Sequence, residues 1–194
     1  MNSRRKYDMS NRARSAEQTG KRIVWAMVEC FANTPYPAIR LSDVAERAGV
    51  TTQTVIRRFG GKAGLMIAAV EAASEGVDEL QVPGLGLEEA IEALLSTYVQ
   101  YGDVMAKMFA EAHLVEGLEP IAARGRAEYL EWLHRSFAPH LTEGLTQGEH
   151  ARRMARLIAA CDVGTWQLLR RDGALDTEEA RIAMTELIRG VLAG

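Results

Sequence analysis

The sequence predicts an all-α chain, and three observations carry that prediction. Apolar residues recur at helical spacing along nearly all of the 194 residues, alternating strand patterns with paired turn signals are absent, and the breaks between apolar segments look like helix caps and stops. With 47% hydrophobic and 25% charged residues, a chain of this length can bury a sizeable core in one domain or two small ones. It contains no run of 18 or more uncharged apolar residues, and Arg4, Arg5, Lys6 and Asp8 have no apolar stretch behind them. Neither a membrane span nor a signal peptide is therefore read, and a cytoplasmic protein is expected. Cys30 and Cys161 form neither a disulfide framework nor a CxxC metal site; both are expected to be small buried apolar residues in a reducing compartment.

Residues 1–14 are polar and basic without an apolar period, so they are read as a flexible arm. A helix is expected from about Ser15 to Asn33, with Ile23, Met27, Cys30 and Phe31 on one face and Pro35 and Pro37 as the stop. Leu41 to Ala48 forms a short helix with Val44, Ala45 and Ala48 inward. Gly49 comes next and supplies the positive φ of a sharp turn. Thr51 then caps a second short helix, Thr52 to Phe59, which Gly60 and Gly61 end. Lys62 opens a longer helix with Leu65, Ala69, Ala72 and Ala73 inward, and the stretch QVPGLG at 81–86 breaks it. The expected division is thus an arm at 1–14, a helix-turn-helix domain at 15–80 and a second helical domain at 85–194.

Beyond the break, helices are expected at about 87–101, 104–114, 120–138, 147–172 and 177–193. Thr146 with Glu149, and Asp176 with Glu179, have capping-box spacing; Pro120 suits a first helical turn and Pro139 a stop. In the 147–172 helix, Leu157, Ile158, Cys161, Val163, Trp166, Leu168 and Leu169 spread around most of the circumference. A straight helix of about 40 Å with apolar residues on most sides needs cover on most sides, which points to a second subunit. The last helix adds a stripe of Ala180, Met184, Leu187, Ile188 and Val191.

The net charge of −3 hides a division. Residues 1–64 carry 12 Lys/Arg against 5 Asp/Glu, a net of +7, and residues 65–194 carry 11 against 21, a net of −10. One end is suited to meet a polyanion and the other to avoid it. Within the basic end, 41-LSDVAERAGVTTQTVIRRF-59 has helix-turn-helix geometry: small Ala45 at the helix contact, Gly49 in the turn, Val50 at the corner, and a capped second helix. Major-groove readout needs short polar and basic side chains on the N-terminal turns of that helix, and Thr51, Thr52, Gln53 and Arg57 are of those types. Gln53 can bond adenine in a bidentate way, Arg57 can reach guanine or phosphate, and threonine can offer its hydroxyl or methyl. The other reading of the same residues is a helical hairpin with a solvated polar face. The arm, with a net of +5 over residues 1–22, either adds phosphate or minor-groove contacts or is a solubilising tail.

The run from Leu41 through Leu65, including FGGKAGL, resembles the N-terminal DNA-binding domain of the TetR family of transcriptional regulators. The likeness covers about residues 15–75, with Trp25 and Phe31 in the preceding helix, and is specific at Val44-Ala45, Ala48-Gly49-Val50, Phe59 and Lys62. It implies that Thr51, Thr52, Gln53, Thr54, Arg57 and Arg58 belong to a recognition helix, that Ser42 contacts the DNA backbone, and that Lys62 meets phosphate near a helix N-terminus. It also implies a C-terminal ligand-binding core, a homodimer built through the last two helices, and a near-palindromic double-stranded operator. Two positions depart from the family pattern: Ile56 stands where a phosphate-contacting tyrosine is common, and Ala63 where an acidic residue is usual.

In the acidic C-terminal part, Tyr98, Tyr101, Met105, Met108, Phe109, Trp132 and Trp166 offer aromatic and thioether surface for a small-molecule effector, with His113, Glu116, Asp162 and Gln167 as polar groups. Each aromatic is also a candidate for plain core. Asp162 sits on an apolar stripe, where it must pair, bind a ligand or meet a partner. His113 and Glu116 have i, i+3 spacing, but two ligands make no metal site, and no cofactor is expected. GxSxG, HExxH and GxGxxG are absent, and FGGKAG lacks the frame of a phosphate loop. The resemblance therefore implies a ligand-responsive regulator, most simply a repressor, and the sequence leaves an activator or a regulator without a ligand open. The alternative is an all-α enzyme or a small-molecule binding module without DNA recognition.

Overall fold

The structure is a computed structural model that describes the backbone of residues 3–78, 84–141 and 144–194, with the side chains of all of these except 3–13 and 75–78. Every regular element among the described residues is helical. The chain divides into two compact units, a head of Met1–Ser74 with Glu111–Ile121 and a body of Glu75–Ala110 with Ala122–Gly194. The break expected at 81–86 lies largely outside the described residues.

The first head helix, α1, runs Ser3–Asn33, so most of the segment read as an arm has a helical backbone, continuous with the helix expected from Ser15. The physical reason is composition: residues 3–19 contain neither Gly nor Pro and include four Arg, two Ala and one each of Lys, Met, Glu and Gln, which are good helix formers even where no apolar period marks a buried face. After a single 3-10 turn at Tyr36–Ala38 come α2 (Leu41–Arg47), α3 (Thr52–Phe59) and α4 (Lys62–Asp78). Ile23, Met27, Val44, Val55 and Leu65 are fully buried in the head, and each such side chain stabilises it by about 1.5–3 kcal/mol. Gly49 takes φ 66°, and its amide and that of Val50 bond back to the carbonyls of Glu46 and Ala45, which closes α2 as the sequence anticipates. At the other end of α3, Gly64 in the first turn of α4 passes so close to the Phe59 carbonyl that a Cβ there would collide with the backbone.

The segment 111–121, which the sequence places with the C-terminal helices, packs in the head. Glu111 Oε2 accepts the Tyr36 amide at 2.7 Å, and Ala112, Val115 and Leu118 are buried. A Cβ on Gly117, at φ 81°, would touch Ile67.

The body is built from α5 (Leu87–Glu111), α6 (Glu119–Phe137), α7 (Gln147–Ala160), α8 (Val163–Gln167) and α9 (Thr177–Ala193). Its core unites Leu94, Leu95, Trp132, Leu133, Phe137, Leu157, Met184 and Ile188. Both capping boxes are formed, Thr146 with Glu149 and Asp176 with Glu179.

Two expectations are corrected here. The helices expected at 87–101 and 104–114 are one, α5, because Gly102 is a packing slot and not a stop: a Cβ there would lie 3.0 Å from the Trp166 indole. Conversely, the single helix expected at 147–172 is interrupted. Asp162 has extended backbone, φ −77° and ψ 142°, and caps α8 by accepting the Gly164 amide at 2.7 Å; α8 then continues as a π-helical segment, Leu168–Asp172. The carbonyl of Cys161, at the end of α7, is taken up by the hydroxyls of Tyr98 and Tyr129, each donating at 2.6 Å. Because the axis is broken, residues that would ring a straight helix face one core: Leu157, Cys161, Val163 and Trp166 are buried, Ile158 and Leu169 pack against the cluster, and Leu168 is exposed.

Candidate nucleic-acid interface

The helix α3 is held from both ends and from behind. Thr51 Oγ1 accepts the Thr54 amide at 3.3 Å and lies 3.0 Å from Thr54 Oγ1, so two hydroxyls expected to face DNA also fix the first turn. The last turn closes on Gly60 at φ 78°, whose amide bonds to the Ile56 carbonyl at 2.8 Å. Behind the helix, Val55 is fully buried. Its outward face presents Gln53, Ile56 and Arg57 at i, i+3 and i+4 spacing, all exposed, with Thr52 and Thr54 half-buried beside them. A short rigid helix with an exposed amide and guanidinium on one face can enter the major groove and bond to base edges.

The flanking positions divide. Ser42 is exposed in the first turn of α2 and donates to Asp43 at 3.0 Å. Arg58 is exposed, with its Cζ 5.8 Å from the Phe59 ring centroid. Lys62 is placed differently from the expectation. Its ammonium donates to the carbonyls of Tyr36, Pro37 and Ile39 at 2.9, 3.3 and 3.1 Å and stands 4.4 Å from the Tyr36 ring centroid. An ammonium has three donors, so a phosphate contact would require one of these bonds to be given up. Ile56, 40% exposed, offers phosphate no donor. Of the basic residues over 1–22, Arg14, Lys21 and Arg22 are exposed, and the side chains of Arg4, Arg5, Lys6 and Arg12 lie outside the described residues.

Of the residues expected to line an effector pocket, Tyr98, Met105, Phe109, Trp132 and Trp166 share the core cluster of the body, whereas His113 belongs to the head. Tyr98, Trp132 and Trp166 are buried in the body core, where Tyr98 and Trp166 lie 6.2 Å apart by ring centroid and Tyr129 stacks on Trp132 at 6.2 Å. Burial raises the Tyr98 and Tyr129 phenols well above their ordinary range and the Cys161 thiol to about 12. Tyr101, Met105, Met108 and Phe109 are half-buried along one face of α5. Asp162 accepts Arg126 Nη1 at 2.7 Å in addition to capping α8, so of the roles open to it the structure shows pairing. His113 belongs to the head segment and is exposed, as is Glu116, because the chain turns into the head at residue 111. Sequence spacing could not show this, since the helical pattern carries on through 111 to the helix end expected at 114. A groove of about 300 Å³ between α5 and α9 was not anticipated. Its lining includes Glu88, Ile91, Glu92, Arg181, Ile182 and Arg189, and none of the expected pocket residues lines it. Arg181 and Arg189 pair with Glu92 and Glu88 across it, each at 2.6 Å.

Residues 23–69 match the sequence model of bacterial regulatory proteins of the tetR family, a span that takes in the buried half of α1, both short helices and the start of α4. Over 144 residues the chain is 26% identical to the HTH-type transcriptional regulator SrpR of Pseudomonas putida, covering 71% of this chain and 66% of that one. In fold it is similar to a TetR-family regulator structure from Rhodococcus sp., with TM-score 0.73 and 19% identity over 90% of this chain and 99% of that one. It is also similar to NalD, the secondary repressor of the MexAB-OprM multidrug efflux pump in Pseudomonas aeruginosa, with TM-score 0.61 and 20% identity over 90% and 96%. The capped helix α3, the turn glycine and the helical body agree with these likenesses: residues 23–69 match the DNA-binding domain of tetR-family regulatory proteins, and the chain as a whole is similar in fold to TetR-family transcriptional regulators.

Proposed function

We propose that the chain is a homodimeric, ligand-responsive repressor that reads a near-palindromic operator through two copies of α3. The observation that carries the reading is the exposed face of Gln53 and Arg57 on a helix whose cap, closing glycine and buried Val55 leave it no freedom to turn away. Two such heads meet successive major grooves about 34–36 Å apart, so operator symmetry mirrors protein symmetry. Ser42, Thr51, Thr52 and Thr54 fix register on the backbone and the rim of the groove, and the basic first helix strengthens binding without sequence preference. The reading places the protein in the cytoplasm and assigns it no catalytic role.

Support for a dimer comes from apolar surface on the closing helices. Leu168 is 59% exposed and Leu187 is 45% exposed, while at Gly190, on the same flank of α9 as Leu187, a Cβ would meet open space, which suits close approach of a second helix. The effector contacts are assigned to the half-buried face of α5, Tyr101, Met105, Met108 and Phe109, with the buried Trp132 indole N–H, which has no partner among the described residues, as a donor in the core cluster against which Met105 and Phe109 pack. The ligand acts by population shift: it binds better to a dimer whose head spacing does not fit successive grooves. The second entry of the chain into the head, at 111–121, is a covalent route for that coupling.

The test is binding of the purified protein to a duplex carrying the DNA upstream of its own gene, measured against a scrambled duplex over a salt series. The double variant Gln53→Ala, Arg57→Ala should lose the preference between the two duplexes while remaining a dimer by light scattering. Undiminished preference would sink the assignment of α3.

A further inference from the structure

Gly20 lies well inside α1, more than ten residues from either end. Glycine is the poorest helix former after proline, and Gly20 is not among the residues with positive φ, so the backbone gives no reason for it. The reason is lateral. A Cβ at this position would come within 2.6 Å of Arg58 Cζ and Nε and closer still to Nη2, so the guanidinium occupies the volume that any side chain here would fill. Gly20 is buried while its neighbours Lys21 and Arg22 are exposed, and Arg58 is exposed at the C-terminal end of α3. The Phe59 ring adds a contact with the guanidinium at 5.8 Å. Among the described residues no carboxylate pairs with Arg58.

We propose that Gly20 is a positioning residue for DNA-backbone recognition: the slot it leaves in α1 seats the Arg58 guanidinium as a fixed phosphate contact at the end of the recognition helix. The inference rests on the reading that α3 docks on DNA. On the same helix Ile56 can make no such contact, and Lys62 at the start of α4 directs its donors to carbonyls. A preset arginine loses less side-chain freedom on binding than a free one, and a phosphate contact acts on every sequence alike. The displaced group is the far end of a flexible side chain, so Gly20→Ala can be accommodated by moving Arg58 without harm to the helix.

The experiment measures binding of full-length Gly20→Ala, Arg58→Ala, Arg58→Lys, the double variant Gly20→Ala, Arg58→Ala, and Gln53→Ala to the upstream duplex and to a scrambled duplex across a salt series, with thermal unfolding of each. Gly20→Ala should weaken binding to both duplexes about 10-fold and lower the salt slope by about 1. Its melting temperature should stay level or rise, because alanine favours the helix. In the Arg58→Ala background the same change should have no further effect on binding, and Arg58→Lys should recover part of the affinity. Wild-type affinity for Gly20→Ala, additive losses in the double variant, or affinity and melting temperature falling together would overturn the proposal. If Gln53→Ala abolishes the preference for the upstream duplex while Gly20→Ala is silent, only the positioning role fails. If Gln53→Ala and Arg58→Ala are both silent, the reading of α3 fails with it.

Discussion

Replacing Asp162 by alanine asks whether this carboxylate holds the body together or serves something outside it. One oxygen accepts the Gly164 amide and the other accepts Arg126, both at 2.7 Å; 27% of the Asp162 side chain and 38% of the Arg126 side chain are exposed. Losing an N-cap costs about 1 kcal/mol. Breaking a fully buried pair would cost about 3–5 kcal/mol, but water reaches about a third of this one, so the surface scale of about 0.2–1 kcal/mol applies. The total is about 1.2–2 kcal/mol. At about 2–4 °C per kcal/mol for a chain of this size, Asp162→Ala should lower Tm by about 2–8 °C. Asp162→Asn keeps an oxygen for the Gly164 amide and loses only the charge, so it should cost less than half as much. The assay is calorimetry at fixed protomer concentration, since dimerisation makes Tm depend on concentration. An unchanged Tm in Asp162→Ala, or an Asn variant as damaged as the Ala variant, would refute the reasoning and return Asp162 to the effector or the partner.

The placement of Lys62 predicts a separation of stability from DNA binding. Lys62→Met should cost about 1–3 kcal/mol of head stability by removing three charge-assisted bonds to the Tyr36–Ile39 turn, and should leave the salt slope of DNA binding unchanged. A slope reduced by about 1 would instead show the ammonium meeting phosphate. The raised Cys161, Tyr98 and Tyr129 groups predict an alkaline limb of instability. The unfolded chain gives up these protons near their ordinary values of 9.0 and 10.0, while the folded chain still holds them. Their contribution is therefore complete below about pH 9 and is lost as pH rises toward 12. Urea unfolding across that range should show the limb, and Tyr98→Phe should flatten it; a limb of unchanged steepness in that variant would remove burial of the phenol as its cause.

The features readable from the sequence are those whose cause and effect lie within about four residues. Gly49 and Gly60 bring the positive φ that their turns require, Thr51 reaches Thr54, and each capping box joins residues three apart. Helix α3 was legible for the same reason, because Val55 marks its inner face and Gln53 and Arg57 its outer one within a single short element. These signals sufficed for an all-α fold and a helix-turn-helix.

What only the tertiary structure decided depends on neighbours far away in the chain. A helical period records an apolar side only while the axis stays straight. The cap at Asp162 breaks that axis, so the apolar ring expected at 147–172 becomes one buried face with Leu168 left outside. Glycine carries two meanings that composition cannot separate: Gly49 is a turn, whereas Gly20 and Gly102 are slots for Arg58 and Trp166. The ammonium of Lys62 goes to carbonyls 23–26 positions away, and His113 goes with its segment into the head. Local sequence sets the torsions of each element, but where a long side chain finds its partner is settled by which elements pack together, and that is a property of the folded chain.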